Sequence, residues 1–109
     1  MIGYKELGDL LSTIEISEGV HIAVAYNKFT TPNQVPPFII YVIDSTSTLK
    51  ADDKVHSQEN NYIVDLCVDV KNVELENKIE KLFNDNYLPY DKDEDYLDSE
   101  RMYQIRYYI

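Results

Sequence analysis

The alternation of apolar and polar positions is clearest between Tyr62 and Val70. Tyr62, Val64, Leu66, Val68 and Val70 share one parity, so a pleated strand places these five apolar side chains on one face. The other parity (Ile63, Asp65, Cys67, Asp69) is mixed, as expected where the second face of a sheet is wet or shared. Directly afterwards the period changes from 2 to 3.6. Leu75, Ile79, Leu82 and Phe83 fall at helical spacing between Asn72 and Asn86. Asn72 can cap this helix, and Glu74 and Glu76 in its first turn suit the helix dipole.

The same reading assigns the rest of the chain. Leu7, Leu10, Leu11 and Ile14 predict an amphipathic helix over Tyr4–Ile14. Gly8 weakens it by about 1 kcal/mol, so it needs tertiary packing to persist. A strand is expected from Val20 to Phe29, then a proline-bearing loop from Thr30 to Pro37 that feeds the strand Phe38–Asp44. That strand is apolar on both parities through Ile43, which suits an interior position. Ser45–Asn60 is polar and reads as a long loop, with an edge hairpin around Lys54–His56 as a further option. It is expected to be mobile in an isolated subunit and ordered against a partner. The acidic stretch Asp91–Asp95 reads as a turn, and Met102–Ile109 as the final strand. Hairpin-length connections and runs of strands predict an α+β fold over residues 1–109. Its single sheet is mostly antiparallel, with room for a mixed order, and has about four to five strands with two helices on one face.

Length and composition narrow the class. The 109 residues, 44% hydrophobic and 28% charged, are expected to form a single domain with a core of its own. No apolar run approaches the roughly 18 residues that span a bilayer, and no membrane partner is expected. The N-terminal residues lack the basic and apolar regions of a signal peptide, and one cysteine cannot form an internal disulfide. A chain folded in cytoplasm is the expectation. The net charge of −10 would repel a phosphate backbone, so specific nucleic-acid binding is not expected. Ten tyrosines without a tryptophan, four of them among the last fourteen residues, lean toward protein–protein contact.

Candidate chemistry is sparse. Asp91, Asp93 and Asp95 match positions 1, 3 and 5 of a calcium loop, but Tyr96 stands where glycine is needed and Met102 where a bidentate glutamate is needed. Asp52, Asp53 and His56 form a weaker cluster. Cys67 lies mid-strand without a histidine near it in sequence, and no phosphate loop or nucleophile motif occurs. No enzymatic activity, metal or cofactor is expected.

The segments Pro36–Tyr41, Ala51–Val55, Tyr62–Leu66, Val73–Glu80 and Tyr96–Ile105, in this order, resemble a family of small tail or neck components of long-tailed phages and prophages of low-GC Gram-positive bacteria. The chain is similar in size and layout to tail terminator proteins, and the resemblance runs from about Leu10 to Ile109. It implies a ring of about six copies that caps the tail tube and ends its growth. One side would meet the major tail tube protein and the other a head-completion or connector protein, with DNA passing through the lumen without specific contact. Such a protein works in the host cytoplasm during assembly and then in the virion neck. The surface expected to carry these contacts comprises Lys50, Asp52, Asp53, Lys54 and His56 together with Asp91, Asp93, Tyr96, Tyr103 and Tyr107. The alternative expectation is a small monomeric acidic binding or regulatory protein, for example an inhibitor that mimics DNA charge.

Overall fold

Both predicted helices lie over one face of a five-stranded mixed sheet in the computed structural model. It describes residues 2–31, 34–51 and 54–109, of which 47–51 and 54–59 are described by backbone alone. Helix α1 (Tyr4–Leu11) is followed by the short strands β1 (Glu15–Ser17), β2 (Val20–His21) and β3 (Ala23–Tyr26). The long strands β4 (Phe38–Ala51) and β5 (Lys54–Val68) come next, then α2 (Val73–Asp85), β6 (Asp91–Leu97) and β7 (Met102–Tyr108). The sheet order is β3-β4-β5-β7-β6. Its pairs are antiparallel except β3–β4, which run parallel.

The expected α+β layer is therefore present, and the Tyr62–Val68 parity faces the helices. Tyr62, Val64, Leu66 and Val68 are buried with Ile39, Tyr41, Ile105 and Tyr107 from neighbouring strands, under Leu7 and Leu11 of α1 and Leu75, Ile79 and Phe83 of α2. Each such side chain removed from water contributes roughly 1.5–3 kcal/mol. Val70 departs from the expectation, because β5 ends at Val68 and leaves Val70 exposed. Asn72 caps α2 as predicted, its side chain accepting from the Leu75 N–H at 3.0 Å.

Four boundaries differ from the sequence expectation. Helix α1 stops at Leu11, where the Ser12 and Thr13 hydroxyls turn back to donate to the carbonyls of Gly8 and Leu10. The expected strand Val20–Phe29 is split. Gly19, at φ +76°, lets β2 fold back on β1, and only β3 joins the main sheet. Ser45–Asn60 is no loop: β4 and β5 remain paired from Ser45–Asn61 to Ala51–Lys54. Thr46 Oγ1 donates to Asn60 Oδ1 and Asn61 Nδ2 to Ser45 Oγ across that ribbon. The acidic stretch Asp91–Asp95 is the edge strand β6, and the turn lies after it, at residues 98–101.

Gly8 has a packing reason. A β-carbon there would sit 2.3 Å from Tyr41 Oη, which donates to the Tyr4 carbonyl at 2.7 Å. Helix α1 thus approaches the sheet closely enough for a sheet tyrosine to bond its backbone. Gly8→Ala is expected to destabilise the protein by about 1–2 kcal/mol, the overpacking penalty exceeding the gain in helix propensity. Thermal unfolding checks this, and a raised midpoint would show that Tyr41 yields without loss.

Candidate interaction surface

The sheet face turned away from both helices is built by the second parity of each strand. Three cross-strand rows run over it: Ala25–Ile40–Asp65–Arg106–Asp93, Ala23–Phe38–Cys67–Gln104–Asp95 and Val42–Ile63–Tyr108–Asp91. Each row begins apolar on β3 or β4 and ends in an aspartate on β6. The residues between are mostly half-buried, while Asp91, Asp93 and Asp95 are exposed. At the boundary Asp65 accepts two bonds from Arg106, from Nε at 2.8 Å and Nη2 at 3.0 Å, which hold the guanidinium firmly charged. An open recess of about 330 Å³ lies beside this pair, lined by Asp93, Asp95, Gln104 and Tyr108 among others.

Cys67 is buried on this face. Burial, and then the neighbouring Asp65, push its thiol up to about 11, so it is not a nucleophile at neutral pH. The calcium-loop spacing of Asp91, Asp93 and Asp95 falls on an extended strand, which sets alternate side chains about 6.8 Å apart in a row instead of around one ion. Among the described residues, no group of three or more histidine, cysteine or acidic side chains converges on a metal position. No helix among them is long and apolar enough to cross a membrane.

A second polar cluster ties α2 to the sheet on the helix side. Glu76 is 1% exposed, yet its carboxylate lies 2.7 Å from Lys92 Nζ and 2.8 Å from Lys71 Nζ. Lys71 also reaches Glu94. Glu80 accepts from Lys92 at 2.7 Å, from the Tyr107 hydroxyl at 2.8 Å and from the Tyr90 hydroxyl at 3.1 Å. Burial alone would raise the Glu80 carboxyl, but these three bonds outweigh it and leave it below the ordinary range. Glu76 Oε2 is buried without a hydrogen bond and is balanced only by the Lys71 ammonium beside it, while the remaining contacts clamp α2 to β6 and β7.

The residues expected to carry contacts divide accordingly. Asp91 and Asp93 stand exposed on β6, and Tyr96, 43% exposed, stacks edge-on against the half-buried Tyr103. Lys50, Lys54 and His56 fall in the β4–β5 ribbon, described by backbone alone, and Asp52 and Asp53 lie outside the described residues. Tyr107 is corrected. It is 0% exposed beneath α2, because Glu80 gives its hydroxyl a partner inside the protein. Sequence reasoning missed the graded face as a unit, since its rows draw one residue from each strand. It also missed Tyr87, exposed at the end of α2 with φ +56°.

With this geometry in hand, comparison with protein-family models, with curated proteins and with solved structures finds no match to the chain.

The Glu80 bonds set a pH dependence. A carboxyl held below its unfolded value of about 4.5 stabilises the fold above that pH and loses the contribution as pH falls through the folded-state value. Glu80→Gln should cost about 1–2 kcal/mol at pH 7. It should also flatten the acid-side fall of the thermal midpoint relative to the parent. Parallel pH profiles for the two proteins would show that the clamp is not ionic.

Proposed function

We propose that this chain is a structural assembly subunit, a tail terminator or related head–tail joining protein of a long-tailed phage or prophage. It acts as a ring at the end of the tail tube. The observation that carries the assembly reading is the paired ribbon. Beyond Tyr41 strand β4 has lost β3, and before Tyr62, whose backbone still exchanges two bonds with Ile109, strand β5 has lost its neighbour, yet the two stay paired for seven further residue pairs from Ser45–Asn61 to Ala51–Lys54. At about 3.4 Å per residue this ribbon is about 24 Å long. A free two-stranded ribbon is marginal alone, and its use is to reach a neighbour. The uncovered sheet face, apolar at one side and acidic at the other, supplies a broad second contact. The phage assignment itself rests on the resemblance in segment wording, and the tube and head-completion partners follow from it.

A monomeric acidic inhibitor would draw on the aspartate row of β6 alone and leaves the ribbon and the apolar side of the sheet without a role. Sedimentation in the presence of tail tubes separates the two readings.

Two outcomes are expected. Phage lacking this protein should show overlong tails and unattached heads by electron microscopy; tails of normal length would overturn the terminator assignment. In the second test, Thr46 is joined to Asn60 by an Asn-Gly turn, which suits a two-residue hairpin. The shortened protein should keep its thermal midpoint within a few degrees, because the core residues described on β4 and β5 (Ile39, Tyr41, Tyr62, Val64, Leu66 and Val68) all lie outside the deleted segment, yet fail to rescue the defective phage. Full rescue would remove the ribbon from the assembly surface.

A further inference from the structure

The C-terminus of α2 is built against its own local preference. The Leu88 N–H donates to the Phe83 carbonyl at 2.8 Å and the Tyr87 N–H to the Asn84 carbonyl at 3.3 Å, the bonding pattern of a Schellman cap. The residue that must turn left-handed in that cap is normally glycine, and here it is Tyr87, at φ +56°. Its β-carbon is strained against the following carbonyl, and its ring is 91% exposed, so no packing within the chain offsets the strain. A large aromatic held in a costly conformation and pointed into water is the signature of a contact residue.

Tyr87 walls a groove. Two adjoining open recesses of about 310 and 520 Å³ share Tyr62, Pro89 and Ile109. Ile2 and Leu88 extend the apolar lining on the Tyr87 side. Asp44 and Asp91 stand on the far side, both exposed, and neither is in an ion pair among the described residues.

We propose that this groove docks a segment of another protein that presents an aliphatic side chain beside a lysine or arginine. The aliphatic group would lie on Leu88, Pro89 and Ile109 against the Tyr87 ring, and the cation would face Asp44 and Asp91. Local charge selects this occupant: Asp44 and Asp91, exposed and in no ion pair among the described residues, favour a segment that carries a cation. Openness along its length suits an extended segment lying across it better than an enclosed small molecule. The inference is independent of the ring reading and holds whether or not the chain forms a ring.

The test is selection of a displayed random library of peptides about twelve residues long against the immobilised full-length protein, followed by affinity measurement on synthetic copies of the enriched sequences. The expected consensus pairs an aliphatic residue with Lys or Arg. Tyr87→Gly should weaken binding by about tenfold or more while leaving the thermal midpoint equal or higher, which distinguishes a lost contact from a lost fold. The double variant Asp44→Asn, Asp91→Asn should remove the preference for a basic residue. No enrichment, a consensus without a basic residue, or undiminished binding by Tyr87→Gly would overturn the proposal.

Discussion

The side chains of Tyr62, Val64, Leu66 and Val68 are taken out of water by two helices that come from opposite parts of the chain. Helix α1 precedes every strand and α2 follows β5, so the core closes only when helices from the two halves of the chain meet over one strand. The close seating of α1 depends on the missing side chain at Gly8, and that of α2 on the carboxylates of Glu76 and Glu80 reaching the lysines and tyrosines beside it. With both helices committed to one face, no helix covers the other, where Phe38 and Cys67 are buried and the Phe29 ring stands edge-on to Phe38.

The acidity of the chain has two physically different parts. On the helix side Glu76, Glu80 and Glu94 are neutralised by Lys71 and Lys92 within a few ångströms, and they contribute to holding the fold. On the uncovered side Asp91, Asp93 and Asp95 alternate with those lysine and glutamate positions along the same strand and face water. One strand therefore carries internal counter-ions on one parity and surface charge on the other. Part of the net charge of −10 is thus expressed on the face without helices.

Sequence reasoning succeeded where one face of an element is buried and faltered where none is. The parity of Tyr62–Val68 and the helical spacing of Leu75, Ile79 and Phe83 were legible because burial imposes a period. The Ser45–Asn60 segment is polar at most positions and shows no period of burial in its sequence, so its strands read as a polar loop. Strand β6 read as a turn because an edge strand can carry a charge at nearly every position. Tyr107 was placed on the correct parity but assigned outward, since the residue that admits it to the core, Glu80, lies 27 positions away. Tyr87 left no signal either: Asn86, just before it, is the residue type that takes the left-handed turn most readily after glycine.

The ribbon has a consequence beyond its reach. Along Ser45–Ala51 and Lys54–Asn61 each strand is bonded to the other and, in the described pairings, to nothing else. Half of the backbone N–H and C=O groups on these residues therefore point outward on two free edges. An edge of this kind offers main-chain groups to which an extended chain can pair, with side chains serving to tune register. A surface of that kind tolerates sequence drift in its partner, because the groups that do the recognising are the ones every residue except proline carries.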